Sequence, residues 1–269
     1  AREADIVLPA KNMFEQTDII GSYWNPYVQL RQKVVEPPKE VKPETEIYYL
    51  LAKQLGFPDK EIEKYIPTPD DSSIEYFLKE KLEPFPELSW EELKKAPQLP
   101  DCHEEIAFED MKFATPSGKI ELYSEQAKKR WGVSPLPTYT PLKERLPDYG
   151  TPDYPLYLLT PNTKNRIHSQ FGNLSVIKQF DPKPLVYLNP HDASVRRIKK
   201  GDTVKIFNKR GNLSMKAAIN YSQKKGCVAI TNGWWISQGG TPNFLSAPRE
   251  TDMGYGTAFH DNLVEVERL

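Results

Sequence analysis

Cysteine is nearly absent from this 269-residue chain. Cys102 and Cys227 are its only two, far apart, and neither stands in a CxxC or Cys/His spacing. That excludes an iron–sulfur cluster or a structural zinc built by this chain alone. A disulfide between them is not expected, because a chain long enough to bury a large core does not need stapling. Histidine is as scarce: His103, His168, His191 and His260 are scattered, so no metal site made only by this chain is expected. An excess of either charge is also missing. The 36 Lys and Arg set against 37 Asp and Glu give no global attraction to nucleic acid or to an anionic membrane. No apolar run approaches the roughly 18 residues that suggest a membrane span. The first residues, AREADIVLPA, include neither an initiator Met nor the basic and apolar regions of a signal peptide.

What is present, 38% apolar residues with 11% aromatics, is enough for a sizeable core in one large domain or two ordinary ones. The opening Ile6-Val7-Leu8 reads as a buried strand after an acidic turn, and a chain that opens inside such an element is expected to be a piece of a longer one. Polar and aromatic loop material follows, FEQTDIIGSYWNPY, and then a helix over TEIYYLLAKQLG. Its apolar face is Ile47, Leu50, Leu51 and Leu55, with Thr45 as the cap and Gly56 as the stop. From Pro58 to Pro100 short amphipathic helices, SSIEYFLKEKL and SWEELKKA, alternate with proline, as in a helical insertion covering one edge of a domain. FATPSGKIELYSEQAKKRWG reads as a strand, a turn at Pro116-Ser117-Gly118, a second strand and a short helix. The expected organisation is an α/β fragment with a helical insertion over 1–132, a proline-rich linker over 133–154, and a β domain over 155–269.

That last part carries six short runs with alternating or fully apolar patterns: YPLYLLT, PLVYLN, DTVKIFNK, GNLSMKAAIN, GCVAITNG and NLVEVERL. Strands at this spacing predict a barrel or a sandwich. Lys209-Arg210-Gly211-Asn212 is the hairpin turn between two of them, with Gly211 available for a positive φ. One helix is evident, Pro190–Ile198, capped by Asn189 and ended by Lys199-Lys200-Gly201-Asp202. Asn189 and Asp192 thus have a structural explanation.

Three clusters in the β domain can carry chemistry. The first is Thr160–Gln170, TPNTKNRIHSQ, where an apolar strand ends in a run of hydroxyl, amide, guanidinium and imidazole groups. Arg166 is suited to a two-pronged grip on phosphate, and Asn162, Ser169 and Gln170 to the mixed donor and acceptor edges of a purine or pterin. Each residue alone reads as part of a solvated loop; their concentration at the carboxyl end of a strand favours a ligand. The second is GWWISQGGTPNFLS, whose glycines permit close backbone approach and whose Trp234 and Trp235 either flank a flat heterocycle or plug a barrel end, the latter being favoured on the residues alone. The third is TDMGYGTAFHDNLVEVE. His260 beside Asp261 resembles part of a catalytic dyad, but no serine or cysteine elbow accompanies it, so a hydrolase is not expected.

LLTPNTKNRIHSQF, VYLNPHDASVRRIKKGDTVKIFNKRGNL, GCVAITNGWW, NFLS and GTAFHDNLVEVE resemble, in order and spacing, the C-terminal domain of the dimethyl sulfoxide reductase family of molybdopterin oxidoreductases. ADIVLPA with FEQTDI, and FATPSGKIELYSE, extend the resemblance upstream; it is thinnest over 58–100. It implies an α/β fragment followed by an all-β, six-stranded double-psi barrel-like domain that binds molybdopterin guanine dinucleotide, two of which (bis-MGD) hold molybdenum or tungsten in the family. It also implies cofactor-binding roles for Thr160, Asn162, Arg166, His168, Ser169, Gln170, Asn243 and His260. No residue here matches the family's metal ligand or its cysteine motif, often for a [4Fe–4S] cluster. The implied partner is therefore an N-terminal remainder of the same enzyme carrying them, as a longer chain or a split-gene subunit, with electron-transfer subunits besides. FEQTDIIGSYWNPY and RIHSQF look more like S- and N-oxide, polysulfide or thiosulfate reductases than nitrate reductases. The competing expectation is a stand-alone β-barrel that binds a nucleotide or a protein without redox chemistry.

Overall fold

The computed structural model of the chain describes residues 2–104, 106–144 and 153–269, so that 145–152 of the expected linker lies outside the described residues. Two compact units emerge, residues 1–113 and 114–269. In the first, β1 (Asp18–Ser22) and β2 (Asn25–Arg31) form an antiparallel hairpin, followed by α1 (Glu44–Gln54), α2 (Asp59–Ile62), α3 (Asp71–Glu80) and α4 (Trp90–Leu93). Its core packs Leu78, Leu82, Leu88, Trp90 and Leu93 against Val28 and Leu30 of the hairpin. Local chemistry sets the helix starts: the Asp70 carboxylate accepts from Ser73 N at 2.9 Å, and the Ser89 hydroxyl accepts from Glu92 N at 3.4 Å.

Four expectations for the first half need correction. Ile6-Val7-Leu8 is neither a strand nor buried, its side chains being 76%, 58% and 60% exposed. The stretch read as loop, DIIGSYWNPY, contains the β1–β2 hairpin, because Ile19 and Ile20 pair with Leu30 and Gln29 across it. Helix α1 forms and Gly56 ends it with φ of 84°, but Pro43 rather than Thr45 occupies its cap, and Leu50, Leu51 and Leu55 are exposed while Tyr49 is buried. Around Gly118 the turn is present, with Gly118 N donating to Thr115 O at 3.0 Å, yet no strand flanks it among the described residues. Ile120 and Leu122 alternate correctly but have no partner strand to satisfy their backbone.

The second unit opens with α5 (Glu125–Trp131), capped by Ser124 and stopped by left-handed Gly132. It then builds β3 (Leu156–Leu159), α6 (Ser175–Phe180), β4 (Leu185–Leu188), α7 (Pro190–Val195), β5 (Thr203–Asn208), β6 (Gly211–Ile219), β7 (Cys227–Ile230) and β8 (Leu263–Arg268). Helix α6 carries no signal strong enough to have been anticipated. All six anticipated strands are present, closed as β3-β7-β4-β6-β5-β8. The pairs β3–β7 and β4–β6 are parallel and the rest antiparallel, giving a mixed barrel of the double-psi kind. Period-2 alternation points Leu158, Val186, Val204, Ile206, Val228 and Val264 inward, each with no exposed surface. Each such side chain contributes about 1.5–3 kcal/mol by leaving water.

At the β5–β6 turn Gly211 is needed for room rather than for a positive φ: a Cβ there would lie 2.8 Å from the Phe244 carbonyl oxygen. Asn208, which ends β5 facing inward, donates to Leu245 O at 2.8 Å and Leu263 O at 3.0 Å, tying the end of β5 to the loop after β7 and to the start of β8. No helix among the described residues is long and apolar enough to cross a membrane. Leu158→Ala is expected to cost the barrel about 2–5 kcal/mol in a denaturant titration, whereas Ser214→Ala on its outer face should change it by less than about 0.5 kcal/mol.

Candidate functional site

Strand register decides where the three clusters lie. Leu159 of β3 pairs with Ala229 of β7, Val186 of β4 with Ile230, Asn208 of β5 with Gly211 of β6, and Tyr157 with Leu263 of β8. The carboxyl ends of β3, β5 and β7 and the amino ends of β4, β6 and β8 therefore meet at one end of the barrel. The connections 160–184 and 231–262, with the β5–β6 turn, form the rim of that end. Helix α7 and the loops at 199–202 and 220–226 close the other.

The loop Thr160–Gln170 is held down on residues 232–235. Thr160 is buried, and its N–H donates to His260 Nδ1 at 3.4 Å, which brings the first and third clusters into contact. Asn162 Oδ1 accepts from Asn232 Nδ2 at 2.7 Å. The indole N–H of Trp235 donates to Ser169 O at 3.3 Å. Gln170 N donates to Ile167 O at 2.9 Å, closing a tight turn in which His168 takes a φ of 50° and Phe171 follows at 69°. Non-glycine residues in that region cost on the order of 1 kcal/mol each and persist only where surroundings hold them. Gly233 supplies the surroundings: at φ of 79° its backbone lies so close that a Cβ would sit 2.0 Å from His168 O.

Arg166 is the buried member. Its side chain is 1% exposed; Nη1 donates to Gly233 O at 3.1 Å, Nη2 to Asn232 O at 3.4 Å, and Nη2 pairs with Asp181 Oδ2 at 3.1 Å. The guanidinium carbon stacks 3.9 Å from the Trp234 ring centre. This arrangement corrects the two-pronged grip on a phosphate, because the fork is committed to the protein's own carbonyls and carboxylate. Two buried polar atoms in the same place have no partner in the chain, Arg166 Nε and Asn232 Oδ1. Leaving such a donor and acceptor unmet costs roughly 1–3 kcal/mol each unless water or a polar ligand meets them. The side chains of Asn162, His168, Ser169 and Gln170 are exposed around them. Asn243, in the 3-10 turn Pro242–Phe244, is exposed at the same end of the barrel.

The family profile described as "Molydopterin dinucleotide binding domain" matches residues 156–263, which run from the first barrel strand to the start of the last. Over its whole length the chain is 36% identical to the "Probable oxidoreductase YoaE" of Bacillus subtilis and 32% identical to the "Dimethyl sulfoxide reductase DmsA" of Escherichia coli. The chain belongs to the dimethyl sulfoxide reductase family of molybdopterin oxidoreductases. It spans 38% and 36% of the length of those two relatives. The "Dimethyl sulfoxide/trimethylamine N-oxide reductase" of Cereibacter sphaeroides is 31% identical over 87% of this chain and 31% of its own. Among solved structures, the acetylene hydratase of Pelobacter acetylenicus shares the fold, with a TM-score of 0.74 at 22% identity, over 97% of this chain and 38% of its own.

Within this molybdopterin-binding domain the second cluster's glycines approach the chain itself. A Cβ on Gly240 would lie 2.4 Å from Pro184 Cβ and 2.9 Å from the Trp234 ring. Trp234 is buried and ties its indole N–H to Thr231 Oγ1 at 3.0 Å, whereas Trp235 is half exposed. Asn232 and Asp181 belong to the rim but are not among the site residues expected from the sequence, whereas Trp234 belongs to the second cluster. Asn232 has a usable signal, since it follows the apolar run CVAI as Thr160 follows LYLL; Asp181 has none. Among the described residues no group of three or more His, Cys, Asp and Glu is disposed to hold a metal ion.

A charged network braces the rim. Glu144 accepts from Arg210 Nη1 at 2.7 Å and from Leu263 N at 3.1 Å, and pairs with Arg249 Nη2 at 2.5 Å, while Asp261 accepts from Arg249 Nη1 at 2.9 Å. This corrects the resemblance of His260–Asp261 to a dyad, since the Asp261 carboxylate is turned to Arg249 and to the 143–144 backbone. Burial pushes the Glu144 carboxyl up, but the Arg210 bond, the Leu263 N–H and Arg249 outweigh it, and the group titrates below its ordinary value. A carboxyl depressed in the folded state stabilises it above the unfolded value, near pH 4.3, and the benefit is lost as pH falls through the folded one. Glu144→Gln is therefore expected to cost on the order of 1 kcal/mol at pH 7, allowing for the solvent the group still sees, with the gap to wild type closing below pH 4 in urea titrations. Gly233→Ala should dislodge the loop and cost about 2 kcal/mol or more.

Proposed function

We propose that this end of the barrel holds molybdopterin guanine dinucleotide, and that the chain is the cofactor-binding part of a molybdenum or tungsten bis-MGD oxidoreductase. The observation that carries the reading is the coincidence, within the matched residues 156–263, of an exposed polar rim with two buried unmet polar atoms, Asn232 Oδ1 and Arg166 Nε. A carbonyl oxygen that lacks a donor suits the amino or amide N–H of a pterin or guanine edge. Asn162, His168, Ser169 and Gln170 offer amide, imidazole and hydroxyl groups to the same ligand, Thr160 and His260 fix the base of the loop, and Asn243 offers a further amide at the same end of the barrel. The two Nη groups of Arg166 hold the loop, which leaves its Nε as the donor for the ligand. When bound, the cofactor supplies the redox-active metal, and this chain binds and orients it.

The protein ligand of that metal, any [4Fe–4S] cluster, and contacts to electron-transfer subunits are assigned to the remainder of the enzyme, so this chain alone is proposed to be inactive. S- or N-oxide reduction is the proposed reaction class, supported by the activities that the names of the Escherichia coli and Cereibacter sphaeroides relatives carry. A stand-alone binding barrel is not favoured, because the similarity runs through the whole chain.

Elemental analysis and acid release of pterin and guanine nucleotide from the purified full-length protein check this directly. One molybdenum or tungsten with two guanine dinucleotides per chain is expected, together with reduction of dimethyl sulfoxide or trimethylamine N-oxide by a reduced dye. A protein with neither metal nor pterin would overturn the cofactor assignment; a loaded enzyme inert on both oxides would overturn the substrate class. His168→Ala in the same protein is expected to lower pterin content at least threefold with the fold intact.

A further inference from the structure

Asp181 stands where local energetics disfavour it. It is the C-terminal cap of α6, which places an acidic residue at the negative end of the helix, and it is followed directly by Pro182. What offsets this lies across the rim. Asp181 Oδ2 pairs with Arg166 Nη2 at 3.1 Å and accepts from Thr163 Oγ1 at 3.1 Å, so one oxygen holds the loop at two points. Arg166 carries the tie onward through its bonds to the carbonyls of Asn232 and Gly233 and its stacking on Trp234. Gly172 leaves the room: a Cβ there would lie 3.2 Å from Arg166 Cδ. The guanidinium is nearly sealed from water, whereas the Asp181 side chain is 20% exposed, so the pair is anchored inside and reachable from one side.

We propose that Asp181 is a positioning residue for the cofactor loop: acting through Arg166 and Thr163, it locks residues 162–170 onto the end of β7, the arrangement in which Asn162, His168 and Asn232 face the pterin dinucleotide. This rests on the cofactor reading above. A buried arginine stripped of its carboxylate is an uncompensated charge, and the cheapest relief is for the loop to lift and return the guanidinium to water. The loop then loses the geometry that its left-handed His168 and the Gly233 contact require. Binding residues remain present but are no longer held together.

The test uses the full-length enzyme and two readouts. The first is the rate of trypsin cleavage after Lys164, which lies in the loop and is exposed; the second is the rate of pterin loss on dilution, followed by fluorescence of the oxidised pterin. Asp181→Asn is expected to speed both at least tenfold while the unfolding midpoint of the barrel moves by only a few degrees. Asp181→Glu, which keeps the charge, should stay within threefold of wild type in both. Thr163→Val, which removes one of the two ties and leaves the buried pair intact, should give about a threefold effect if Asp181→Asn does not fold. Wild-type rates of cleavage and pterin loss in Asp181→Asn and Thr163→Val would overturn the proposal. So would faster cleavage with unchanged pterin retention, or an Asp181→Glu enzyme as leaky as Asp181→Asn. The cofactor reading fails separately: it falls if His168→Ala also leaves pterin content untouched, since His168 is exposed in the loop and takes no part in the lock.

Discussion

A guanidinium with 1% of its side chain in water is tolerable only where its charge is matched and its donors are met. Arg166 meets that condition with a carboxylate from the end of α6, two carbonyls from the end of β7 and the face of Trp234. These partners belong to two different connections of the barrel, so the buried charge can be satisfied only when both are in place. The conformation of the loop, the strain at His168 and the close approach of Gly233 all follow from that requirement. The barrel itself is held by a conventional apolar interior; its rim is held by electrostatics, through Arg166 with Asp181 on one side and Glu144 with Arg210 and Arg249 on the other.

This division of labour separates scaffold from site. Six short strands supply rigidity, and the mixed parallel and antiparallel pairing brings six strand ends to one face. Polar residues are concentrated there, and two of their atoms, Asn232 Oδ1 and Arg166 Nε, are withdrawn from water without a partner in the chain.

The β domain was legible in the sequence because its strands are patterned at period 2 around a closed core, as LYLL, TVKIFN and LVEVER show, and a closed barrel needs nothing from outside to satisfy them. The first half of the chain is less legible for the complementary reason. Ile6-Val7-Leu8, Ile120 and Leu122 have strand-like apolar residues, and Leu50, Leu51 and Leu55 a helix-like face, but these groups remain exposed. The candidate loop was found by its density of polar groups after an apolar strand. What composition could not reveal is that its most conspicuous residue, Arg166, turns inward, since a sequence shows which donors are available and not which acceptors arrive from residues 181 and 232–233. For the same reason the glycines near Trp234 suggested a ligand's approach, although Gly233 and Gly240 in fact admit His168, Pro184 and Trp234.

The central claim is that the pterin dinucleotide contacts this rim and not the opposite end of the barrel. Hydrogen–deuterium exchange of the full-length protein with and without its cofactor tests it most directly. The account expects protection on binding in 160–170, 231–246 and 257–262, with exchange unchanged in 190–202 and 220–226. Protection centred on those last two segments, or none in the rim, would contradict it.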